Sequence, residues 1–545
     1  VKAKELYTHG ESLFGKRKTL LSLWQEMADN FYPERADFTT KRVIGEEFAS
    51  NLMTSYPILA RRDLGNALGS MLRPTAKGWF HVRTNSEKAE DIDARRYLEW
   101  SEGLMRRAMY DKVTQFVRAT KEGDHDFAAF GQCVLTVEKS RNADSLLYRC
   151  WHLRDVAWAE NEQGAIGQVY RKWKPTVRTL LRLFPSKMSA KLKELASREP
   201  ETEINCCHIV VESDLYDGTK KTPYTSIYYD VDNDIELEAV GIWNPMYVIP
   251  RWQTVSGSQY AYSPATVAAL PDARLIQAMT LTLLEAGEKM TNPPMIAVQE
   301  AVRSDVAIYA GGITWVDADY DERLGEVLRP LSQDRSGMPI GRDMRNDTRD
   351  QIAEAFYLNK LAMPERAAEM TAFEVGQRVQ EYIRQALPIF EPMEMEYNGA
   401  ICEMTFDILM RAGAFGPMDA MPRSLRGAKI QFRFQSPLHD AIESEKEHKF
   451  LEMKALAADA LAVDPTIINI VDVKTAFRDA LLGTGVPATW QRTDAEAEEI
   501  TAIQNKAAAT NALLDTMQKG ANVAATVGQA SKALSERNAA APAVQ

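Results

Sequence analysis

Residues 250–294 read PRWQTVSGSQYAYSPATVAALPDARLIQAMTLTLLEAGEKMTNPP. An aromatic-rich turn, Gln259 to Ser263, is closed by Pro264, and a long helical pattern then runs to Asn292-Pro293-Pro294. Proline suits a first helical turn because its missing N–H has no partner there, whereas two successive prolines end a helix. Between these marks Leu275, Met279, Leu283 and Ala286 recur at helical spacing, which predicts one helix over 265–291.

Outward from this helix the chain is mixed. Toward the N-terminus the pattern predicts helices over 11–32, with Leu20, Trp24, Met27 and Phe31 on one face, over 57–72 and over 89–122. Trp79 to Val82 and Phe127 to Glu138 read as strands, and 146–251 as mostly strand with a helix over 175–198. Toward the C-terminus, 295–333 reads as short strands and turns, and helices are expected over 341–361 and 372–412, divided by Pro364. Lys429 to Phe434 alternates like a strand, 438–518 is helical, and 519–545 is an Ala-, Gly- and Asn-rich tail.

The length of 545 residues allows several domains or one composite body. Apolar residues are 45% and charged residues 26%, an ordinary globular balance. With 65 Lys and Arg against 76 Asp and Glu, the net charge of −11 argues against a protein that grips DNA tightly, though not against one that lets DNA slide past. No run approaches the roughly 18 apolar residues of a membrane span, and residues 1–18 lack the apolar core of a secretory signal. Cys133, Cys150, Cys206, Cys207 and Cys402 are odd in number and lack CxxC spacing, which predicts free thiols.

No enzyme motif holds together. Gly10 to Arg17 (GESLFGKR) has P-loop spacing, but Arg17 stands where a Ser or Thr should hold Mg²⁺, and no apolar strand precedes it. Asp317 to Asp321 starts like a calcium loop, yet Glu322 replaces the turning glycine and Leu328 the bidentate Glu. His125 lies between Asp124 and Asp126 with no nucleophile placed beside it, so a structural histidine is expected, and His439 and His448 lack metal-ligand context. Neither catalytic residues, nor a metal, nor a cofactor are expected.

Several segments, in order, resemble a known family. They are Leu23 to Ala28 with Phe31-Tyr32-Pro33; Ala67 to Pro74 with Trp79-Phe80; Asp126-Phe127 with Phe130-Gly131 and Val134; and Tyr170-Arg171. The strongest block is Pro250-Arg251-Trp252, Tyr262-Ser263-Pro264, Ala269 to Arg274 and Pro293-Pro294; Met370 to Val375 with Arg378, and Pro487 to Trp490, follow it. Together, over about residues 20–500, they resemble the portal proteins, or head-to-tail connectors, of short-tailed bacteriophages. Tyr56 to Ala60 lacks the family's Asp-Ser-Thr run, and Ala261 stands where glycine is common.

The resemblance implies an α+β portal fold with wing, stem, clip and crown. By motif, 1–264 is wing, 265–292 the first stem helix, 293–339 the clip and 340–361 the second stem helix. Residues 362–371 form the channel loop, 372–437 a long wing helix and strand, 438–518 the crown, and 519–545 a tail or barrel. It also implies a twelve-subunit homo-oligomeric ring at one capsid vertex of the virion, assembled in the host cytoplasm. Double-stranded DNA would pass through it without sequence specificity. The implied partners are terminase, adaptor or tail proteins, major capsid protein and internal core or scaffolding proteins, with no membrane. Lys360, Glu365 and Arg366 would lie near the channel constriction. On the second stem helix Asp343, Asp347, Asp350 and Glu354 share one face, Arg342, Arg345 and Arg349 another, and Met344, Ile352 and Ala355 the remaining side. In a head-to-tail ring the Arg face of one copy could meet the acidic face of the next, or the acidic face could line the channel. Ile500, Ile503, Ala507, Thr510, Leu514 and Met517 form a heptad seam opened by Thr493, Asp494 and Glu496. The rival readings are the packaging motor ATPase, which would need an intact P-loop, and another tail or internal virion component.

Overall fold

The computed structural model describes residues 1–43, 45, 51–74, 78–85, 91–140, 145–187, 189–218, 221–291, 293–297, 315, 328–330, 337–361, 393–417, 419, 421–434, 450–457, 472–483, 486–493, 496–507 and 510. The chain divides into two compact units, one of residues 1–81, 103–415 and 432–443, the other of 82–102, 416–431 and 444–545. The fold class is α+β, with helices and antiparallel sheets side by side.

The first unit opens with helices α1 (Ala3–Lys16), α2 (Lys18–Phe31) and α3 (Tyr56–Leu72). Strand β1 (Phe80–Thr84) and helices α4 (Ile92–Met109) and α5 (Phe116–Phe130) follow in sequence. Next come β2 (Val134–Lys139), β3 (Leu146–Trp151), β4 (Val156–Glu160) and β5 (Ile166–Trp173). Short helices α6 (Val177–Leu183) and α7 (Ala190–Arg198) lead to β6 (Cys206–Glu212), β7 (Tyr224–Asp230), β8 (Ile235–Ile242) and β9 (Tyr247–Val248). Strands β4 to β8 form a five-stranded antiparallel meander in chain order, and β2 lies between β3 and β9 in a second sheet.

Both faces of the meander are covered, which explains why β6 is buried continuously from Cys206 to Val211. On one face Ala157, Tyr170, Ile209 and Val211 pack with Leu6 and Leu13 of α1. On the other, Val156, Trp158, Val169 and Val210 pack with Trp24, Met27 and Phe130. Adjacent residues of one strand serve opposite clusters, as the pleat requires. All five cysteines are free.

Several sequence expectations shift. The first helix begins at Ala3, not at 11, and breaks at Arg17, whose Nη1 donates to the carbonyls of Leu153 and Val156 at 2.7 Å each. Gly10 to Lys16 therefore lie in a helix and not in a phosphate-cradling loop, and Gly10 permits close contact with Tyr170. The 89–122 helix is two helices, parted where the Asp111 side chain accepts from Val113 N and Gln115 turns to φ 58°. The expected strand from Phe127 is helix as far as Phe130, ended by Gly131, and strand begins at Val134. The 175–198 helix is divided after Leu183, next to Pro185. The 317–327 stretch, His439 and His448 lie outside the described residues.

Asp124, His125 and Asp126 of α5 each meet an arginine. Asp124 is hydrogen-bonded by Arg73, whose Nη1 also donates to Asn398 Oδ1 at 2.7 Å. Arg61 Nη1 lies 3.0 Å from His125 Nδ1, and Arg35 grips Asp126 through Nε at 3.0 Å and Nη2 at 2.6 Å. His125 is thus a structural residue. Burial, then the Arg61 charge, holds its pKa down at about 4.

Two outcomes follow. An unfolded histidine titrates near 6.5, so the folded chain binds fewer protons between pH 6.5 and 4. His125 therefore contributes its full stability above pH 6.5 and loses it progressively as pH falls toward 4. Replacement by Gln should flatten the loss of thermal stability across this window; an identical slope in the variant would refute the assignment. At Gly131, φ is +73° and an added Cβ would lie 2.1 Å from the Tyr262 carbonyl carbon. Gly131→Ala should cost more than about 2 kcal/mol by denaturant unfolding. Gly15→Ala, with nothing within 4 Å, should be neutral or stabilising.

Candidate functional site

Beyond β10 (Gln253–Thr254) and β11 (Ala261–Tyr262), helix α8 runs from Pro264 to Thr291, close to the expected span. Its start is fixed by hydroxyls. Ser263 Oγ donates to Ala128 O and Thr266 Oγ1 to Ala129 O, both at 2.8 Å. Both side chains are fully buried, and Ser263 Oγ also accepts from Thr266 N, capping α8. The C-terminal carbonyls of α5 are thereby joined to the first turn of α8. Ala261 N donates to Gln132 Oε1 at 2.9 Å, tying in the preceding turn.

Further along, Arg274 Nε donates to Glu26 Oε1 at 2.7 Å, an exposed pair. Gln277 uses both ends of its amide: Oε1 accepts from Met53 N at 2.7 Å and Thr54 N at 2.9 Å, and Nε2 donates to Thr54 O. The buried residues of α8 are Ala265, Thr266, Ala269, Leu270, Ala273 and Ile276, all in its first half. From Gln277 onward none is fully buried. Leu281 and Leu284 stand 42% and 52% exposed, so the distal half presents apolar surface to solvent. By length and composition α8 would pass for a membrane span, which corrects the sequence expectation that no segment would. Its buried base and the charges Arg274, Glu285, Glu288 and Lys289 mark it as part of a folded body.

The chain continues through an antiparallel pair, β12 (Met295–Ala297) with β13 (Leu328–Pro330), and returns in α9 (Gly337–Ala355). Gly341 lets α9 approach α8, since a Cβ there would sit 2.9 Å from Leu283 Cδ2. At its other end Thr348, Ile352, Ala353 and Phe356 are buried, and the Phe356 and Phe31 rings lie 5.4 Å apart. Tyr357, at φ 57°, ends the helix before the short α10 (Leu358–Leu361).

The four predicted carboxylates of α9, Asp343, Asp347, Asp350 and Glu354, are all exposed, as is Arg342. Arg345 and Arg349 are half-buried, and the Arg349 guanidinium lies 5.3 Å from the ring centre of Tyr56 on α3. Burial, and then Asp350, push the Tyr56 hydroxyl pKa up. Met344 does not join Ile352 in the core but is 53% exposed; Thr348 takes that place, one turn before Ile352. The Lys360 backbone belongs to α10, while Glu365 and Arg366 lie outside the described residues. Sequence reading missed Gln277 and Thr266, and singled out Arg274 only as part of a motif; Thr266, three residues after Ser263 at a helix start, carried a local signal.

In the second unit, Thr493 N donates to Glu496 Oε2 at 2.9 Å and Glu496 N to Thr493 Oγ1 at 3.1 Å, the expected reciprocal cap. Ile500 is half-buried and Ile503 exposed; Leu514 and Met517 lie outside the described residues.

The family described as bacteriophage head to tail connecting protein matches residues 3–490, and the chain belongs to it. Over 457 residues it is 25% identical to a protein of Bordetella phage BPP-1 named probable portal protein, covering 80% of this chain and 79% of that one. Over 482 residues it is 21% identical to the portal protein of Salmonella phage epsilon15, covering 85% and 84%. Among solved structures it is similar to a chain in the neck of an empty gene transfer agent particle, at 10% identity and a TM-score of 0.35, over 79% of this chain and 95% of that chain. A chain of the native particle's virion gives 9% identity and a TM-score of 0.30, over 74% and 86%.

The helix joint can be tested directly. Ser263→Ala or Thr266→Val leaves a buried carbonyl without its donor, and each should cost about 1–3 kcal/mol in denaturant unfolding. Thr266→Ser, which keeps the hydroxyl, should recover most of the loss; damage by Ser with none by Val would show that only the methyl matters.

Proposed function

We propose that this chain is a portal subunit: a structural, DNA-conducting component of the junction between phage head and tail. The observation that carries this reading is the family match over residues 3–490. Support comes from the α8 and α9 pair, whose outer parts leave apolar side chains and a row of carboxylates uncovered. Exposed Leu281 and Leu284 are costly in a lone subunit at roughly 25 cal/mol per Å² of apolar area. A neighbouring copy would cover them.

In this reading twelve copies close a ring at one capsid vertex, and DNA enters and leaves through its channel. Residues 265–292 and 340–361 form the stem, 293–339 the clip, 1–264 and 372–437 the wing and 438–518 the crown. Terminase docks on the clip during packaging, adaptor or tail proteins replace it, and coat protein surrounds the wing. Arg342 and the half-buried Arg345 of one subunit meet Asp343, Asp347, Asp350 or Glu354 of the next, while Arg349 also braces Tyr56 within its own subunit. Lys360, Glu365 and Arg366 lie by the constriction. The rival ATPase reading loses its P-loop, because Gly10 to Lys16 are helical.

Electron microscopy with mass measurement in solution tests the proposal. Rings with a central hole and a mass near twelve copies of the 61.2-kDa chain are expected. A stable monomer that hydrolyses ATP would overturn it. Leu281→Asp with Leu284→Asp should shift rings toward monomers while circular dichroism stays unchanged. Lys360→Glu with Arg366→Glu should impair DNA retention or passage but leave the rings intact.

A further inference from the structure

The chain is acidic overall, yet residues 172–204 hold eight Lys and Arg against four Glu, a local net charge of +4 within a chain of −11. This stretch forms the end of β5 and the α6–α7 lobe that links it to β6. The lobe has a small core of its own: Val177, Leu180, Phe184 and Leu192 pack with Ile204, Cys206 and Leu237. Thr176 and Ser189 cap its two helices, so the loop between them does not leave the cations on an unfolded strap.

Lys174, Arg178, Arg182, Lys187, Lys193 and Arg198 are all exposed. Arg178 pairs with Glu201 at 2.8 Å and Arg198 with Glu194 at 2.9 Å, both in highly exposed geometry. Among the described residues, Lys174, Arg182, Lys187 and Lys193 have no acidic partner. Such a concentration of like charge raises local repulsion unless counterions or a polyanion neutralise it.

We infer that this lobe is a contact surface for the phosphate backbone of duplex DNA, separate from the two long helices. A protein interface gathers its energy in a desolvated centre of aromatic and apolar anchors. Among the described residues the lobe has none: no large apolar side chain between residues 172 and 198 is among the exposed ones. It also offers no exposed aromatic platform on which unpaired bases could stack. What remains is a set of cations on a firm support, the chemistry that reads a phosphate backbone without reading sequence.

The experiment uses the full-length protein in whatever assembly it forms, with a random-sequence duplex of about 30 base pairs, titrated from low to physiological salt. The native protein should bind with log K falling linearly in log salt, at a slope near −0.9 for each phosphate engaged. Arg182→Glu, Lys187→Glu and Lys193→Glu combined should weaken binding at least tenfold and reduce the slope by about 3. The same triple reversal at exposed Lys18, Lys41 and Lys112 should change both far less, which separates a site from net charge. Native-like affinity and slope in the lobe variant would overturn the inference. So would loss of binding to polyglutamate with duplex binding intact, which would assign the lobe to an acidic protein. Ring formation, followed by microscopy, reports on the portal reading separately.

Discussion

Two hydroxyl groups set the direction of α8, the longest of the described helices. Ser263 and Thr266 donate to the last free carbonyls of α5, so that one helix begins where another ends. A helix terminus normally leaves its carbonyls to water or to a glycine cap. Here Gly131 supplies the left-handed cap, and the two buried hydroxyls complete it. The net gain from each bond is small, about 1 kcal/mol, but an unmet buried carbonyl costs more than a met one returns. That asymmetry makes the joint specific: α8 can leave the body only along a path that keeps both bonds. Gln277 and Arg274 then hold the next two turns against the segment before α3 and against α2.

Buried arginines perform the same service elsewhere. Arg17 donates hydrogen bonds to carbonyls of the turn between β3 and β4 and of the start of β4, and Arg35, Arg61 and Arg73 each claim one residue of the Asp124-His125-Asp126 run. A guanidinium has five donors in a fixed plane, so it can serve several acceptors from different elements at once. Burying such charges brings little net stability, because desolvation offsets the attraction. Their contribution is to fix one arrangement, since any other packing would leave a charge unpaired. Gly65 and Gly69 of α3 make room for this run, with His125 and Asp124 where a Cβ would be.

Much of this was legible in the residues. Pro264 and Pro293-Pro294 bracket α8 because proline constrains the backbone wherever it stands. The strands between 146 and 251 were legible from their alternating runs, though not their order, and the reciprocal cap at Thr493 and Glu496 from their spacing. The carboxylate row of α9 followed from steps of four and three. Two of the errors share one cause, a partner far away in the chain. Phe127 to Phe130 looked like strand because Phe and Val favour strands, but the carbonyl partners that keep it helical lie some 135 residues away. The helix break at Arg17 depends on carbonyls of residues 153–156. Thr348, a polar residue inside the core, satisfies its hydroxyl on the Met344 carbonyl of its own helix, and so it sits where an apolar residue was expected.

The distal half of α8 raises a question of stability that a single subunit does not answer. Isolated helices of this length are marginal in water, and most helical stability in proteins comes from packing one face. Here α9 supplies contact at Gly341 and Leu283, while Leu281 and Leu284 stay exposed. A helix with Leu281 and Leu284 toward solvent gains nothing from them until something covers them. On the portal reading the cover is the next copy of the same hairpin, so the outer stem would gain order as the ring closes. The carboxylate row of α9 then acts against loose, nonspecific clustering. Apolar contact alone would accept many registers, whereas each misplaced Asp beside another Asp is penalised. Attraction without a register would give aggregates, and charge without apolar surface would give a monomer. The two faces of one hairpin together are what a closed assembly of like subunits requires.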